Sequence, residues 1–203
     1  MKETTTKTLK NTEIVEKSNR LNEIVCNSMT LQELRFFSIY MAKINARDKS
    51  SRVVTFTLQD FRKIMELKAV YPHYIKDVFN KLLCKVVEVG NNKSGFSMFQ
   101  IFKKCELVQE NDEWLIKIDA HDDALPLMFN LQGKYFKYQL WNALQLKSLN
   151  QLRMYEILKQ YEKIGKRTIE IDDLRNWLGI KKNEYNRWDN FKMRVLDSCQ
   201  KAL

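Results

Sequence analysis

The chain has 203 residues, 44% of them apolar and 30% charged, a balance that describes a globular protein and excludes a disordered one. A count of 35 Lys and Arg against 25 Asp and Glu leaves a net charge of +10, which suits a polyanionic partner, nucleic acid ahead of membrane. No apolar run reaches the roughly 18 residues of a membrane span. The opening MKETTTKTLKNTE has no apolar core of a secretion signal, so a cytoplasmic chain with no membrane partner is expected.

Residues 1–12 read as a flexible tail. Thr30 then precedes an apolar run, as a helix N-cap does, and Leu31, Leu34, Phe37 and Met41 share one face. A polar loop, Asn45 to Ser51, leads to the β-type run Arg52 to Thr57. Next come a short helix around Phe61, a turn from Lys68 to Pro72, and a longer helix carrying Val78, Leu82 and Leu83. Short helix, tight turn and second helix make a helix-turn-helix. Lys85 to Val89, the turn Gly90 to Gly95, and Phe96 onward predict a strand pair, the wing of a winged helix.

Met98 to Val108 and Trp114 to Ile118 predict strands joined by the acidic turn Gln109 to Glu113. Asp119 to Asn130 reads as a short helix with Pro126 near its start, and Tyr135 to Leu140 as one more strand. The five glycines fall at predicted turns.

From Ser148 the chain repeats its plan. Thr30-Leu31-Gln32-Glu33-Leu34-Arg35 aligns with Ser148-Leu149-Asn150-Gln151-Leu152-Arg153. Leu149, Leu152, Tyr155 and Leu158 or Lys159 repeat the apolar face. A loop from Glu162 to Lys166 precedes a second β-type run, Arg167 to Ile171. From there Phe61 meets Leu174, 113 positions on, and Arg62/Arg175, Met65/Leu178, Leu67/Ile180, Val78/Phe191, Lys81/Arg194, Leu82/Val195 and Leu83/Leu196 keep that offset. The expected fold is α+β: two tandem winged-helix domains related by internal duplication, over residues 13–140 and 141–203. The second is expected to lack its C-terminal wing in this chain, which ends at Leu203 just after the third helix.

DNA recognition needs a helix whose outer face offers donors to phosphates and base edges. On a helix predicted from about Asn183 to Lys201, Trp188, Phe191, Val195 and Cys199 point one way. Asn183, Asn186, Arg187, Asn190, Arg194 and Lys201 point the other. Asn pairs bidentately with adenine and Arg with guanine. Lys181 and Lys182 stand at the turn before the helix, where phosphate contact is natural, and Lys166 and Arg167 flank the strand. In the first unit His73, Lys76, Asp77, Asn80 and Lys81 are outward, with Asp77 opposing phosphate, so Lys76 and Lys81 are expected to make auxiliary DNA contacts only.

No catalytic apparatus is expected. The two histidines, His73 and His121, form no His-x-His pair; no GxxxxGK[ST] loop occurs; His121-Asp122-Asp123 reads as a helix start and not a metal site. Cys26, Cys84, Cys105 and Cys199 contain no CxxC and read as reduced thiols. No cofactor and no metal are expected.

Three segments resemble the replication initiator (Rep) proteins of theta-replicating plasmids, the family that binds iterons at a plasmid origin. Ile14-Val15-Glu16-Lys17-Ser18-Asn19-Arg20-Leu21-Asn22-Glu23 is similar to that family's V-K-S-N-x-L opening. Met29 to Arg35 resembles its L-x-x-x-E-x-R first helix. Leu146-Lys147-Ser148, with Leu152 to Tyr161 (LRMYEILKQY), resembles its L-K-S…R-L-Y-E-L-L-K-Q-Y segment, the most specific of the three. The resemblance runs from about residue 13 to the end. It implies two winged-helix domains, the second entering the major groove of an iteron in double-stranded origin DNA. The first would mediate dimerisation and touch backbone. It also implies a homodimer in equilibrium with monomer, dimers repressing and monomers initiating, and host replication proteins as partners. The competing reading is a winged-helix transcriptional repressor that binds a promoter operator without starting replication.

Overall fold

In the computed structural model, which describes Lys10, residues 12–25, 29–91, 95–129, Leu131 and 134–203, the chain enters through a strand. Most of the expected tail, Cys26, and Gly133 lie outside the described residues. Strand β1 (Ile14–Ser18) passes directly into α1 (Asn19–Val25). Helix α2 (Leu31–Lys43) starts in a reciprocal capping box: the Glu33 amide donates to the Thr30 hydroxyl, and the Glu33 carboxylate accepts from the Thr30 amide. Next come β2 (Val53–Thr57), α3 (Leu58–Ile64), capped by the Thr57 hydroxyl, and α4 (Pro72–Leu83), with Pro72 in the first turn, where its missing N–H costs nothing. Strands β3 (Val86–Asn91), β4 (Gly95–Gln100), β5 (Phe102–Glu110) and β6 (Glu113–Ala120) follow. The short helix α5 (Leu125–Met128), strand β7 (Tyr135–Gln139) and helix α6 (Leu140–Leu144) lead to α7 (Leu149–Lys159), α8 (Ile171–Leu178), α9 (Trp188–Phe191) and α10 (Asp197–Ala202).

The strands form three antiparallel sheets: β1 with β7, β3 with β4, and β2-β6-β5. The expected wing over residues 85–96 is present as the hairpin β3–β4, but it does not join β2. The sheet holding β2 is completed by β6 and β5 instead. The apolar pattern explains this, because β6 buries Leu115, Ile116, Ile118 and Ala120 whereas β4 is largely exposed. Gly90 lets the hairpin close, with φ +134 and a position where a Cβ would lie 2.6 Å from the Gly95 carbonyl oxygen.

Three other expectations change. Residues 98–108 are two strands broken at the buried Ile101, not one. The helix expected from Asp119 is shorter, because Asp119 and Ala120 still pair in β6 and a 3-10 turn over Asp122–Ala124 precedes α5. Residues 167–170 are not a strand, and Ile171 already begins α8; no described strand lies beside them to bond with.

The duplication survives in three dimensions. Helix α7 opens with its own capping box, Ser148 with Gln151. The pairs Phe61/Leu174, Met65/Leu178, Val78/Phe191 and Leu82/Val195 are buried in both units. The backbone bond from Leu67 N–H to Arg62 C=O recurs as Ile180 N–H to Arg175 C=O, at 3.0 and 2.9 Å.

Two apolar cores result. One surrounds Phe36, Phe37, Phe56, Phe61, Phe79 and Phe102; the other holds Ile157, Leu174, Leu178, Ile180, Phe191 and Val195. Helix α7 feeds both, with Leu152 in the first and Ile157 in the second. Of the two positions expected to end its apolar face, Leu158 is exposed and Lys159 is half-buried; Ile157 is the buried one.

Candidate nucleic-acid interface

The second helix-turn-helix is α8, a turn, and one long helix running from Trp188 to Ala202. That helix widens into a π-type stretch over Lys192–Leu196 and keeps Phe191, Val195 and Cys199 buried. It starts later than expected. Tyr185 has φ +50 and cannot be helical, and Arg187 is the N-cap residue. Asn183, Asn186 and Arg187 therefore lie on the turn and not on the helix.

Arg175 shapes that turn. Its guanidinium donates to the carbonyls of Glu184 and Tyr185 (3.2 Å to the latter) and sits 5.1 Å from the centre of the Phe191 ring. One side chain thus ties α8, the turn and the long helix together. Gly179 ends α8 in the left-handed region.

On this frame Lys181, Lys182, Asn183, Asn186, Arg187, Asn190, Arg194 and Lys201 are all exposed. Seven of them cluster between residues 181 and 194, on the turn and first turns of the helix; Lys201 stands at its far end. Among the described residues Arg187 pairs with the exposed Asp189, at 3.6 Å, a pairing of little energetic weight. Trp188 is not inward as expected. It overhangs the helix start, about half exposed, with its ring 5.9 Å from that of Phe191.

Lys166 and Arg167 are elsewhere. They line a cavity of about 430 Å³ with Leu203, at the other end of the long helix. Lys166 is exposed. Arg167 is only partly exposed: its guanidinium lies between the rings of Tyr161 and Trp177 at 4.1 and 4.2 Å, with Gln160 accepting from it at 3.1 Å and Glu23 of α1 3.9 Å away.

In the first unit Lys76 and Lys81 are exposed on α4. Exposed Asp77 and Asn80 accompany them, and Tyr71 stacks on His73 at the helix start. Among the described residues no group of three His, Cys, Asp or Glu is placed to hold a metal ion, and no helix is long and apolar enough to cross a membrane.

Residues 14–159 match the family described as Initiator Replication protein, WH1, and residues 170–203 match Initiator Rep protein, WH2. The chain belongs to the replication initiator family. The initiator's two matches are two winged-helix domains, in keeping with the duplicated plan. The first ends at Lys159, the last residue of α7, and the second begins at Glu170, directly before α8. Among solved structures, the initiator is similar to the Pi initiator protein, whose crystal structure is in complex with iteron DNA. Identity is 17%, the TM-score is 0.74, and the match covers 94% of this chain and 85% of that one. No curated protein matches the initiator's sequence.

The apolar members of the initiator's surface carry no clear signal in the sequence. Met193 and Trp188 are more than half exposed on the long helix, among the polar donors. Their spacing fits an inward face as well as an outward one, so only the true helix start separates the cases. Offset 113 pairs Arg175 with Arg62, but nothing local marks it as the brace of the turn.

Proposed function

We propose that this chain starts plasmid replication by binding repeated sites, iterons, in double-stranded origin DNA. The observation that carries the reading is the cluster Lys181, Lys182, Asn183, Asn186, Arg187, Asn190 and Arg194. These donors are exposed together on a braced turn and helix start, in a chain of net charge +10. A helix-turn-helix presents the start of its second helix to base edges. In this reading Arg187, Asn190 and Arg194 read bases, Lys181 and Lys182 bind phosphate, and Met193 offers a thymine methyl its apolar partner. The first unit adds backbone contacts through Lys76 and Lys81 and carries self-association; host replication proteins are then recruited. The iteron complex of the similar Pi initiator supports this choice of DNA.

The test is binding of this chain to duplex carrying direct origin repeats against scrambled duplex, at several salt concentrations. Preference for the repeats supports the proposal. Equal binding with a slope near −0.9 per phosphate contacted leaves only non-specific attraction and sinks it.

A further inference from the structure

Arg153 is a fully buried arginine between the two units. Its Nε and Nη2 donate to the Trp177 carbonyl of α8 at 3.0 and 2.8 Å. Its Nη1 donates to Asn22 Oδ1 of α1 at 2.6 Å, and its Nη2 to the Asn22 carbonyl at 2.9 Å. Glu156, one turn on and also fully buried, takes Nη1 of Arg153 at 3.3 Å. Glu156 further pairs with Lys17 of β1 and accepts from the Tyr138 hydroxyl of β7 at 2.5 Å. A second, partly buried tie runs from Arg167 to Glu23 of α1 at 3.9 Å.

The cluster joins β1, α1 and β7 of the first unit to α8 of the second, through two residues of α7. Apolar packing alone is non-directional. A guanidinium is a rigid fork that fixes the direction of each bond it donates. Trp177 lies two residues before Gly179, where α8 ends and the recognition turn begins. Whatever orients the Trp177 carbonyl orients the turn and the helix after it. Buried ion pairs are weak sources of net stability and are best attested as devices that select one arrangement.

We propose that the Lys17–Glu156–Arg153–Asn22 cluster is the joint that sets the angle between the two helix-turn-helix units. Its members are thus positioning residues for DNA recognition. The proposal rests on the reading that both units contact one duplex. A second contact raises affinity only when the linkage lets both engage at once. B-DNA turns once in about 10–10.5 base pairs, so a fixed angle demands a fixed interval between the two contact segments.

The test uses Arg153→Lys, which keeps the charge and loses the fork, and Asn22→Ala, a milder change that serves if the first does not fold. Spin labels at Cys84 and at Gln200→Cys, in a chain whose other cysteines are alanine, report the distance between the units. The duplex is one selected by the wild-type chain from random-sequence DNA. It is compared with a version carrying two base pairs inserted between the footprints of the two units. The wild-type chain should give a narrow distance distribution and lose affinity about tenfold or more on insertion. The variants should broaden the distribution and lose at most about threefold. A distribution that stays narrow in both variants, or an insertion penalty equal to wild type, overturns the joint. A wild-type chain that selects no sequence overturns the proposed function instead, while the distance measurement still decides the joint.

Discussion

Glu66 and Gly179 stand 113 positions apart, at the same place in two helix-turn-helix turns, and both have positive φ, 53° and 72°. The second unit uses the residue suited to that region; the first places a side chain there. Gly179→Ala should cost about 1–2 kcal/mol, the usual penalty for a Cβ in the left-handed region. Glu66→Gly should be neutral or slightly stabilising, because relieved strain offsets the greater freedom glycine has when unfolded. Urea unfolding of the two variants checks both. Equal losses would mean that the turns are not equivalent.

Glu156 should make stability depend on pH. Burial opposes its charge, but Lys17, Arg153 and the Tyr138 hydroxyl outweigh that and hold its carboxyl below the ordinary glutamate range. A depressed folded value gives stability that is complete above the unfolded value of about 4.3 and is lost as pH falls through the folded one. Glu156→Gln should cost about 3–5 kcal/mol at pH 7, since it strands two buried cations. The gap between wild type and variant should shrink on acidification toward pH 3. A gap that is constant across that range would place no charge on Glu156.

Arg187→Ala and Arg194→Ala should each weaken binding to the preferred duplex by about 1–3 kcal/mol and relax preference at one position. Lys181→Ala should weaken all sequences alike and lower the salt slope by about one. Titrations at three salt concentrations separate the two patterns, and unaltered affinity in both arginine variants would put the reading face elsewhere.

Arg175→Ala should leave both cores folded but free the turn from residue 181 to 187. We expect about tenfold weaker specific binding, or ~1.4 kcal/mol, with little change in salt slope. Proteolysis at the turn should speed up in parallel. Full affinity would show that the turn holds its shape without the brace.

Much of this architecture was legible because duplication prints each signal twice. The helix N-caps at Thr30 and Ser148 and the apolar pairs at offset 113 are patterns of this kind, and they read well. What failed depends on distant partners. The β-type run at 167–170 has the right residues but no described neighbour to bond with. The sheet partner of β2 is also set at a distance: hairpin β3–β4 forms as the wing its residues predict, but β6 supplies the apolar face that β2 pairs with. The start of the long helix slipped because Tyr185 takes a positive φ that its identity does not announce. The buried charges escaped for the same reason: Lys17 and Glu156 are 139 positions apart, and each reads alone as a surface residue.

Helix α7 has a consequence for how the molecule comes apart. It gives Leu152 to one core and Ile157 to the other, and between them it holds the buried charges. A cut on either side of it would strip one half of a wall and bare ions to an apolar surface. The two copies, though alike enough to suggest interchangeable parts, should therefore behave as one thermodynamic unit. Heat should melt them in one cooperative transition, and neither half should refold when expressed without this helix.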